Sequence, residues 1–268
     1  MPALTTAQRT AFANEGYIVI PNLLSRNEVA EHNTNLNRLL LESDEQGRHP
    51  APGVSVQFEP GFVGKGRTAA ERELAVRKYF QFGQADAFFW NSVRNPRIVA
   101  ILTDLIGSGA KMLQSMALVK PPEIGSPKDW HQDVPYFPIT PVDACIGVWI
   151  ATDDATLENG CLQVVPGSHR AGPVKHVNGP TGWKLPDDQV ATFQSQVRPI
   201  PVPAGSGLVF SACLFHFSDH NRSAKRRRAL QYHYVSAATH WTDPANRGPI
   251  DDLAQDVPPR LALGVCRE

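Results

Sequence analysis

The chain has 268 residues, and 26 Lys plus Arg balance 26 Asp plus Glu, so its formal net charge is zero. That balance removes any electrostatic reason to expect nucleic acid or an anionic membrane surface as partner. No apolar run reaches the roughly 18 residues of a spanning helix, and a 42% hydrophobic share with 19% charged residues is that of a folded domain with a sizeable core. Residues 1–10 carry neither an apolar signal core nor Arg-rich transit character. Cys145, Cys161, Cys213 and Cys266 are scattered, as reduced thiols would be. The expectation is a cytoplasmic monomer or homodimer whose partner is a small-molecule substrate.

Thr5 or Thr6 can cap a first helix ending near Gly16, and the β-branched run Tyr17-Ile18-Val19-Ile20 predicts a strand. Ser25-Arg26-Asn27-Glu28 is a capping box, and Val29, Leu36, Leu39 and Leu40 share one face of a helix to about Glu42. Residues 45–70, rich in Gly, Pro and charge, predict a mobile loop. Residues 86–90 and 98–105 read as two more helical pieces. From about Lys111, short β-rich runs alternate with turn clusters, at 112–120, 144–152, 161–165, 207–212 and 227–235. Strands in series without intervening helices predict an antiparallel barrel or sandwich. Residues 171–200 read as a polar insertion, a lid or substrate loop. The expected organisation is one domain over 1–268: a mainly helical support (1–110), a β core (111–240) and a C-terminal tail (241–268).

One His-x-Asp occurs, His131-Gln132-Asp133. In an extended segment residues i and i+2 project to one side, so an imidazole and a carboxylate enter one cavity. His216, just beyond a strongly apolar strand, is the expected third ligand, with His220 as its competitor. Two histidines and a carboxylate take one face of an octahedral ion and leave three positions open, as a non-haem Fe(II) oxygenase requires. The tripeptide alone is weak, because nine histidines make chance matches common.

Three stretches carry more: HQD at 131–133, GVWIATDDATLENGCLQVVPGSH at 147–169, and HFSDHNRSAKRRRALQYHY at 216–234. In order and spacing they resemble the phytanoyl-CoA dioxygenase family of Fe(II)/2-oxoglutarate oxygenases, over most of the chain. The resemblance implies a mainly β, double-stranded β-helix (jelly-roll, cupin-like) barrel with flanking N-terminal α-helices. It implies Fe(II), 2-oxoglutarate as co-substrate and O2, with His131, Asp133 and His216 as metal ligands. The family pattern His-x-Ser-x-x-Asn-x-Ser falls on His216, Ser218, Asn221 and Ser223, which leaves His220 at a variable position.

The same resemblance places Arg227 on the distal carboxylate of 2-oxoglutarate, where a guanidinium supplies two parallel donors. Read bare, Lys225-Arg226-Arg227-Arg228 is a solvated basic patch, and that reading is kept for Lys225 and Arg226. Strand alternation puts Ala229, Gln231 and His233 inward with Arg227, and Arg228, Leu230, Tyr232 and Tyr234 outward. It also separates Trp149, with Cys145, Gly147 and Ala151, from the apolar face of Ile146, Val148 and Ile150. A strand Trp is more often core than site; the resemblance brings Trp149, Ser218, Gln114 and Lys78 to the co-substrate. His169 and the Glu158-Asn159-Gly160 turn read as structural.

The chemistry implied is oxidation of an unactivated C–H bond of a small organic metabolite, with succinate and CO2 released. Hydroxylation is the default, and desaturation, epoxidation or rearrangement use the same machinery. Related halogenases replace the carboxylate by a small residue, so Asp133 argues against halogenation. Tyr136, Phe137, His240 and Trp241 are the candidate substrate contacts, and secondary metabolism the expected setting. Beyond 222–228 the sequence offers no basic cluster for a CoA thioester. Two competing classes remain: a cupin-type metal enzyme that does not use 2-oxoglutarate, and a catalytically silent binding protein on the same fold.

Overall fold

A computed structural model describes residues 3–243 and 250–256. Helix α1 (Thr6–Glu15) starts at Thr5, which exchanges hydrogen bonds with Gln8 as a capping box. It ends at Gly16, whose φ of 82° is left-handed and sterically cheap for glycine alone. The chain turns directly into β1 (Tyr17–Ile20). The Ser25/Glu28 box opens α2 (Arg26–Glu42), which buries Val29, Leu36, Leu39 and Leu40 as expected, together with His32. A cap contributes about 1 kcal/mol, whereas each buried leucine contributes ~1.5–3 kcal/mol. The cap therefore sets where α2 begins, and the apolar face holds it in place.

The next segment corrects the sequence reading. Residues 45–70 contain β2 (Ser55–Phe58); α3 (Ala69–Glu73) and β3 (Val76–Phe80) follow it. Both strands are short and carry polar side chains such as Gln57, Arg77 and Lys78, so no apolar alternation announces them. The two remaining N-terminal helices fall as expected: α4 (Ala87–Val93), capped by Asp86, and α5 (Pro96–Ile106).

The core continues as β4 (Lys111–Lys120), β5 (Lys128–His131), β6 (Ile139–Thr140), β7 (Cys145–Ala151) and β8 (Leu162–Val164). A hairpin, β9 (Val177–Gly179) and β10 (Gly182–Lys184), precedes α6 (Asp187–Thr192) and β11 (Arg198–Ile200). The last strands are β12 (Gly207–Ser211), β13 (His216–Ser218), β14 (Arg227–Val235), β15 (His240–Trp241) and β16 (Asp251–Asp252). The major sheet runs β1-β12-β7-β14-β4-β3-β2, with β16 beside β4, and the minor sheet runs β11-β8-β13-β5. Their pairings are antiparallel. This is the double-stranded β-helix the sequence predicts. The first 110 residues are more than a helical support, however, since β1, β2 and β3 belong to the major sheet. Residues 171–200 are likewise more than a polar insertion: Leu185 and Phe193 are buried with Trp130 and Phe215, and β11 joins the minor sheet. Cys266 lies outside the described residues.

Alternation sorts the major sheet. Ile146, Val148, Ile150, Leu230, Tyr232 and Tyr234 pack in one core with Leu36, Leu39, Phe89, Trp90 and Leu102 of the helices. Trp149, Ala151, Phe210 and Ala229 face the minor sheet and meet Leu162 and Val164. Gly147 faces inward where a Cβ would come within 2.6 Å of the Phe210 ring. That ring is buried and lies edge-on to His216, with centroids 5.1 Å apart. Gly147→Ala should therefore cost about 1–3 kcal/mol in urea unfolding, by driving Phe210 toward His216. Unchanged stability would mean that Phe210 moves aside freely.

Candidate active site

His131 ends β5 and His216 opens β13, and the antiparallel register sets the two directly opposite each other. Their ring centroids lie 4.1 Å apart. Each Nδ1 donates to a backbone carbonyl, His131 to Asp129 at 2.7 Å and His216 to Leu214 at 2.9 Å. A carbonyl only accepts, so the proton sits on Nδ1 and the Nε2 lone pair stays free. Both Nε2 atoms face Oδ1 of Asp133, at 3.5 and 3.7 Å. Those separations are too long for hydrogen bonds. Three lone-pair atoms thus converge with no proton between them, an arrangement that repels unless a cation lies among them. Among the described residues, His131, Asp133 and His216 form the one group able to hold a metal ion, with ligand atoms within 4.8 Å of one another.

Asp133 arrives there by a route the sequence reading did not foresee. It is not on the strand: at φ −82° and ψ −30° it opens a 3-10 turn over Val134–Tyr136. Its N–H donates to the Ala212 carbonyl at 2.9 Å, which ties the turn to the end of β12. Its second oxygen, Oδ2, accepts from Nε2 of His233 on β14 at 2.8 Å. Burial opposes ionisation of Asp133, but the His216 and His233 rings, with the hydrogen bond from His233, hold it well below the usual carboxylate range. Burial, assisted by His216, pushes His131 down to about 4 against the pull of Asp133, so its ring is neutral at pH 7. A neutral imidazole and an ionised carboxylate are the states a metal ion requires.

The group opens into a cavity of about 420 Å³ between the two sheets. Ten of the twelve residues singled out from sequence line it: Lys78, Gln114, His131, Asp133, Tyr136, Phe137, Trp149, His216, Ser218 and Arg227. Arg227 is 3% exposed, and one amino group donates to the Leu118 carbonyl at 3.1 Å. Among the described residues its Nε has no partner, and neither does the buried Nε1 of Trp149, over whose ring the guanidinium lies at 5.8 Å. Burial lowers the Arg227 pKa to about 10. Among the described residues no carboxylate forms an ion pair with it. A buried cation and a buried indole N–H with unused donors on one cavity wall suit an incoming carboxylate. Asn221 fixes the approach to β14, its amide donating to the carbonyls of Lys120, Pro121 and Lys225.

Several expectations need correction. His240 and Trp241 do not line the cavity: β15 pairs with β6, His240 is exposed, and Trp241 packs against the apolar cluster that contains Phe137 and Ile139. Arg226 is not simply solvated, since it bridges Glu73 at 2.8 Å and Asp153 at 3.0 Å. Arg228 does turn away from the cavity, but into the helical layer rather than solvent, where it is 3% exposed. His220 is exposed, on the loop after β13. His169 hydrogen-bonds the Ala13 carbonyl at 3.3 Å, in keeping with a structural role. Polar residues of the site region that the sequence leaves unassigned include His233, Lys120, Lys128 and Arg77. Alternation had turned His233 inward, but nothing in sequence could tell that its partner would be Asp133.

The family model described as "Phytanoyl-CoA dioxygenase (PhyH)" matches residues 12–229. The chain belongs to the phytanoyl-CoA dioxygenase family. Members of this family are dioxygenases that use iron and 2-oxoglutarate. An Arabidopsis thaliana phytanoyl-CoA dioxygenase is 28% identical over 255 residues, covering 88% of this chain and 90% of that one. Among solved structures, the non-heme alpha ketoglutarate dependent carbocyclase SnoK from nogalamycin biosynthesis superposes with a TM-score of 0.70 at 24% identity, covering 94% and 95% of the two chains. EctD from S. alaskensis, solved with 2-oxoglutarate and 5-hydroxyectoine, gives 0.74 at 19%, covering 96% and 88%. At those identities the two structures speak for the fold. No helix among the described residues is long and apolar enough to cross a membrane.

The unpaired state of Arg227 has a consequence for stability. A buried cation whose pKa is depressed in the fold is carried at a cost at every pH where it stays charged. Arg227→Met should therefore leave the ligand-free protein as stable as the wild type, or more stable by up to about 2 kcal/mol. Thermal unfolding without ligands checks this, and a clear loss of stability would assign Arg227 to the fold rather than the site.

Proposed function

We propose that the protein is an Fe(II)- and 2-oxoglutarate-dependent oxygenase that oxidises an unactivated C–H bond of a small organic metabolite, releasing succinate and CO2. The observation that carries this reading is the pairing of two features in one cavity: the proton-free convergence of His131, Asp133 and His216, and the buried guanidinium of Arg227, which no carboxylate of the described residues pairs. Iron, held by those three residues, would supply the activation of oxygen and the oxidising power.

The chain's own groups do the rest. Asp129 and Leu214 carbonyls fix the two imidazole tautomers. His233 engages Oδ2, so only Oδ1 of Asp133 is offered to the metal, which keeps coordination positions open for the co-substrate. Arg227 and Trp149 take the distal carboxylate of 2-oxoglutarate, while Ser218, Gln114 and Lys78 complete its surroundings. Tyr136 and Phe137 face the substrate. The half-buried Lys78 ammonium lies over Phe80 at 4.6 Å, and burial first, then Arg77 and Lys128, lower its pKa to about 8.

The reading is tested by succinate formation from 2-oxoglutarate with Fe(II) and O2 across a metabolite screen. No stimulation of 2-oxoglutarate turnover by any metabolite, and no substrate-free turnover, would sink it. Arg227→Ala should raise the KM for 2-oxoglutarate by about two to three decades, since breaking one side of a buried ion pair costs on the order of 3–5 kcal/mol. Arg227→Lys should recover part of this, and Arg226→Ala should change KM little. Equal, modest effects from all three would fit a general basic surface instead. For pH, the sign follows from the depressed Lys78 pKa: the ammonium is charged below about 8, so affinity for 2-oxoglutarate should fall as pH rises above that value. Lys78→Met should flatten the profile; an identical profile in the variant would remove Lys78 from the co-substrate site.

A further inference from the structure

We propose that Arg77 and Lys128 form a seat for an oxyanion group, a carboxylate or phosphate, carried by the small-molecule substrate. The inference rests on the iron and 2-oxoglutarate reading and adds the substrate's chemical class. Among the described residues, five basic side chains line the cavity, Arg77, Lys78, Lys120, Lys128 and Arg227, against a single carboxylate, Asp133. A metal ion would take Asp133. The co-substrate's two carboxylates would go to the metal and to Arg227, with Lys78 beside them. Burial, then Arg227, lowers Lys120 to about 6, so at pH 7 it is largely a neutral amine, hydrogen-bonded to the Ser126 carbonyl. Arg77 and Lys128 remain.

Among the described residues, neither forms an ion pair with a carboxylate. Arg77, half-buried on β3, makes no hydrogen bond or ion pair with the described residues. Lys128 donates to neutral oxygens alone: Tyr136 Oη at 3.2 Å and the carbonyls of Thr181 and Trp183 at 3.1 and 3.2 Å. Of the nearby carboxylates, Asp129 accepts from the Thr181 hydroxyl at 2.7 Å, and Glu59 accepts from the Ser126 N–H at 3.1 Å through one oxygen, with its other oxygen buried and unpartnered among the described residues; neither forms an ion pair with Arg77 or Lys128. Burial lowers Lys78, Lys120 and Lys128 first, and the Arg77 charge adds to each, while at Lys128 Asp133 and Asp129 pull the other way. Like charges gathered on a half-buried wall repel, and an anion relieves that repulsion. A guanidinium adds parallel donors suited to a carboxylate or phosphate. Tyr136, Phe137 and Phe80 supply apolar surface beside the seat for the part of the substrate that reacts.

The test loads the protein with Mn(II) and saturating 2-oxoglutarate, which fills the Arg227 end. Inorganic phosphate and, separately, carbon-labelled acetate are then titrated, and their nuclear relaxation by the bound metal is read. The expected result is saturable enhancement for at least one anion, the stronger naming the substrate's acid group. Arg77→Gln should weaken that binding about tenfold, the loss of a charge-assisted contact, and Lys128→Gln should weaken it as well. Affinity for Mn(II), and for 2-oxoglutarate below pH 8 where Lys78 stays charged, should be little changed in Arg77→Gln, which breaks no side-chain contact among the described residues. Absence of saturable enhancement in the wild type, or enhancement that both variants preserve, overturns the seat while leaving the oxygenase reading in place. Failure to bind Mn(II) and 2-oxoglutarate at all overturns both.

Discussion

Asp133 is a buried carboxylate held among three imidazoles, and the rest of the site is arranged around its charge. Moving such a group out of water costs several kcal/mol unless partners replace the lost hydration. Here one oxygen is answered by His233 and the other is left facing two Nε2 lone pairs. Those lone pairs are free because backbone carbonyls hold the opposite edge of each ring. The fold supplies the precision: β5 and β13 set the histidines opposite one another, while the major sheet delivers His233 from the other side. The site therefore depends on both sheets closing, and a shift of β14 by one residue would withdraw His233 and Arg227 together.

The two ends of the cavity solve opposite electrostatic problems. At the metal end, surplus lone pairs await a cation. At the Arg227 end, a buried cation stacked over Trp149 awaits an anion. Each is a local cost in the ligand-free protein, and each is relieved by the ligand the site is built for. Strain of this kind tends to collect where binding is to be specific, because the wrong ligand leaves it unrelieved. The outer core bears the load: the helices cover the other face of the major sheet with Leu36, Leu39, Phe89, Trp90 and Leu102.

Much of this was legible in the sequence because it repeats with a period or a motif. The 2.0 period separated Arg227, Ala229, Gln231 and His233 from Leu230, Tyr232 and Tyr234, and caps at Thr5 and Ser25 set the helix starts. His-x-Asp pointed to residues that do converge, but for a reason that does not hold, since Asp133 sits in a turn and not on a strand. What stayed hidden was contact across the chain. The bond from His233 to Asp133 spans 100 residues. β2, at the sheet edge, and β3 beside it are too short and too polar to show a pattern, and they carry Gln57, Arg77 and Lys78 to the cavity. His240 and Trp241 attracted notice as an aromatic pair, yet the register of β15 with β6 takes them elsewhere.

The central claim is that a metal ion and 2-oxoglutarate meet in this one cavity, and an anaerobic titration addresses it most directly. Fe(II) is added to the protein with and without 2-oxoglutarate, following the visible charge-transfer absorption of the chelate together with bound iron. The account predicts one Fe(II) per chain, an absorption band that requires both additions, and loss of the band in His131→Ala, Asp133→Ala and His216→Ala but not in His220→Ala. Iron retained by His216→Ala and lost from His220→Ala, or a band absent from the wild type at saturating ligand, would contradict it.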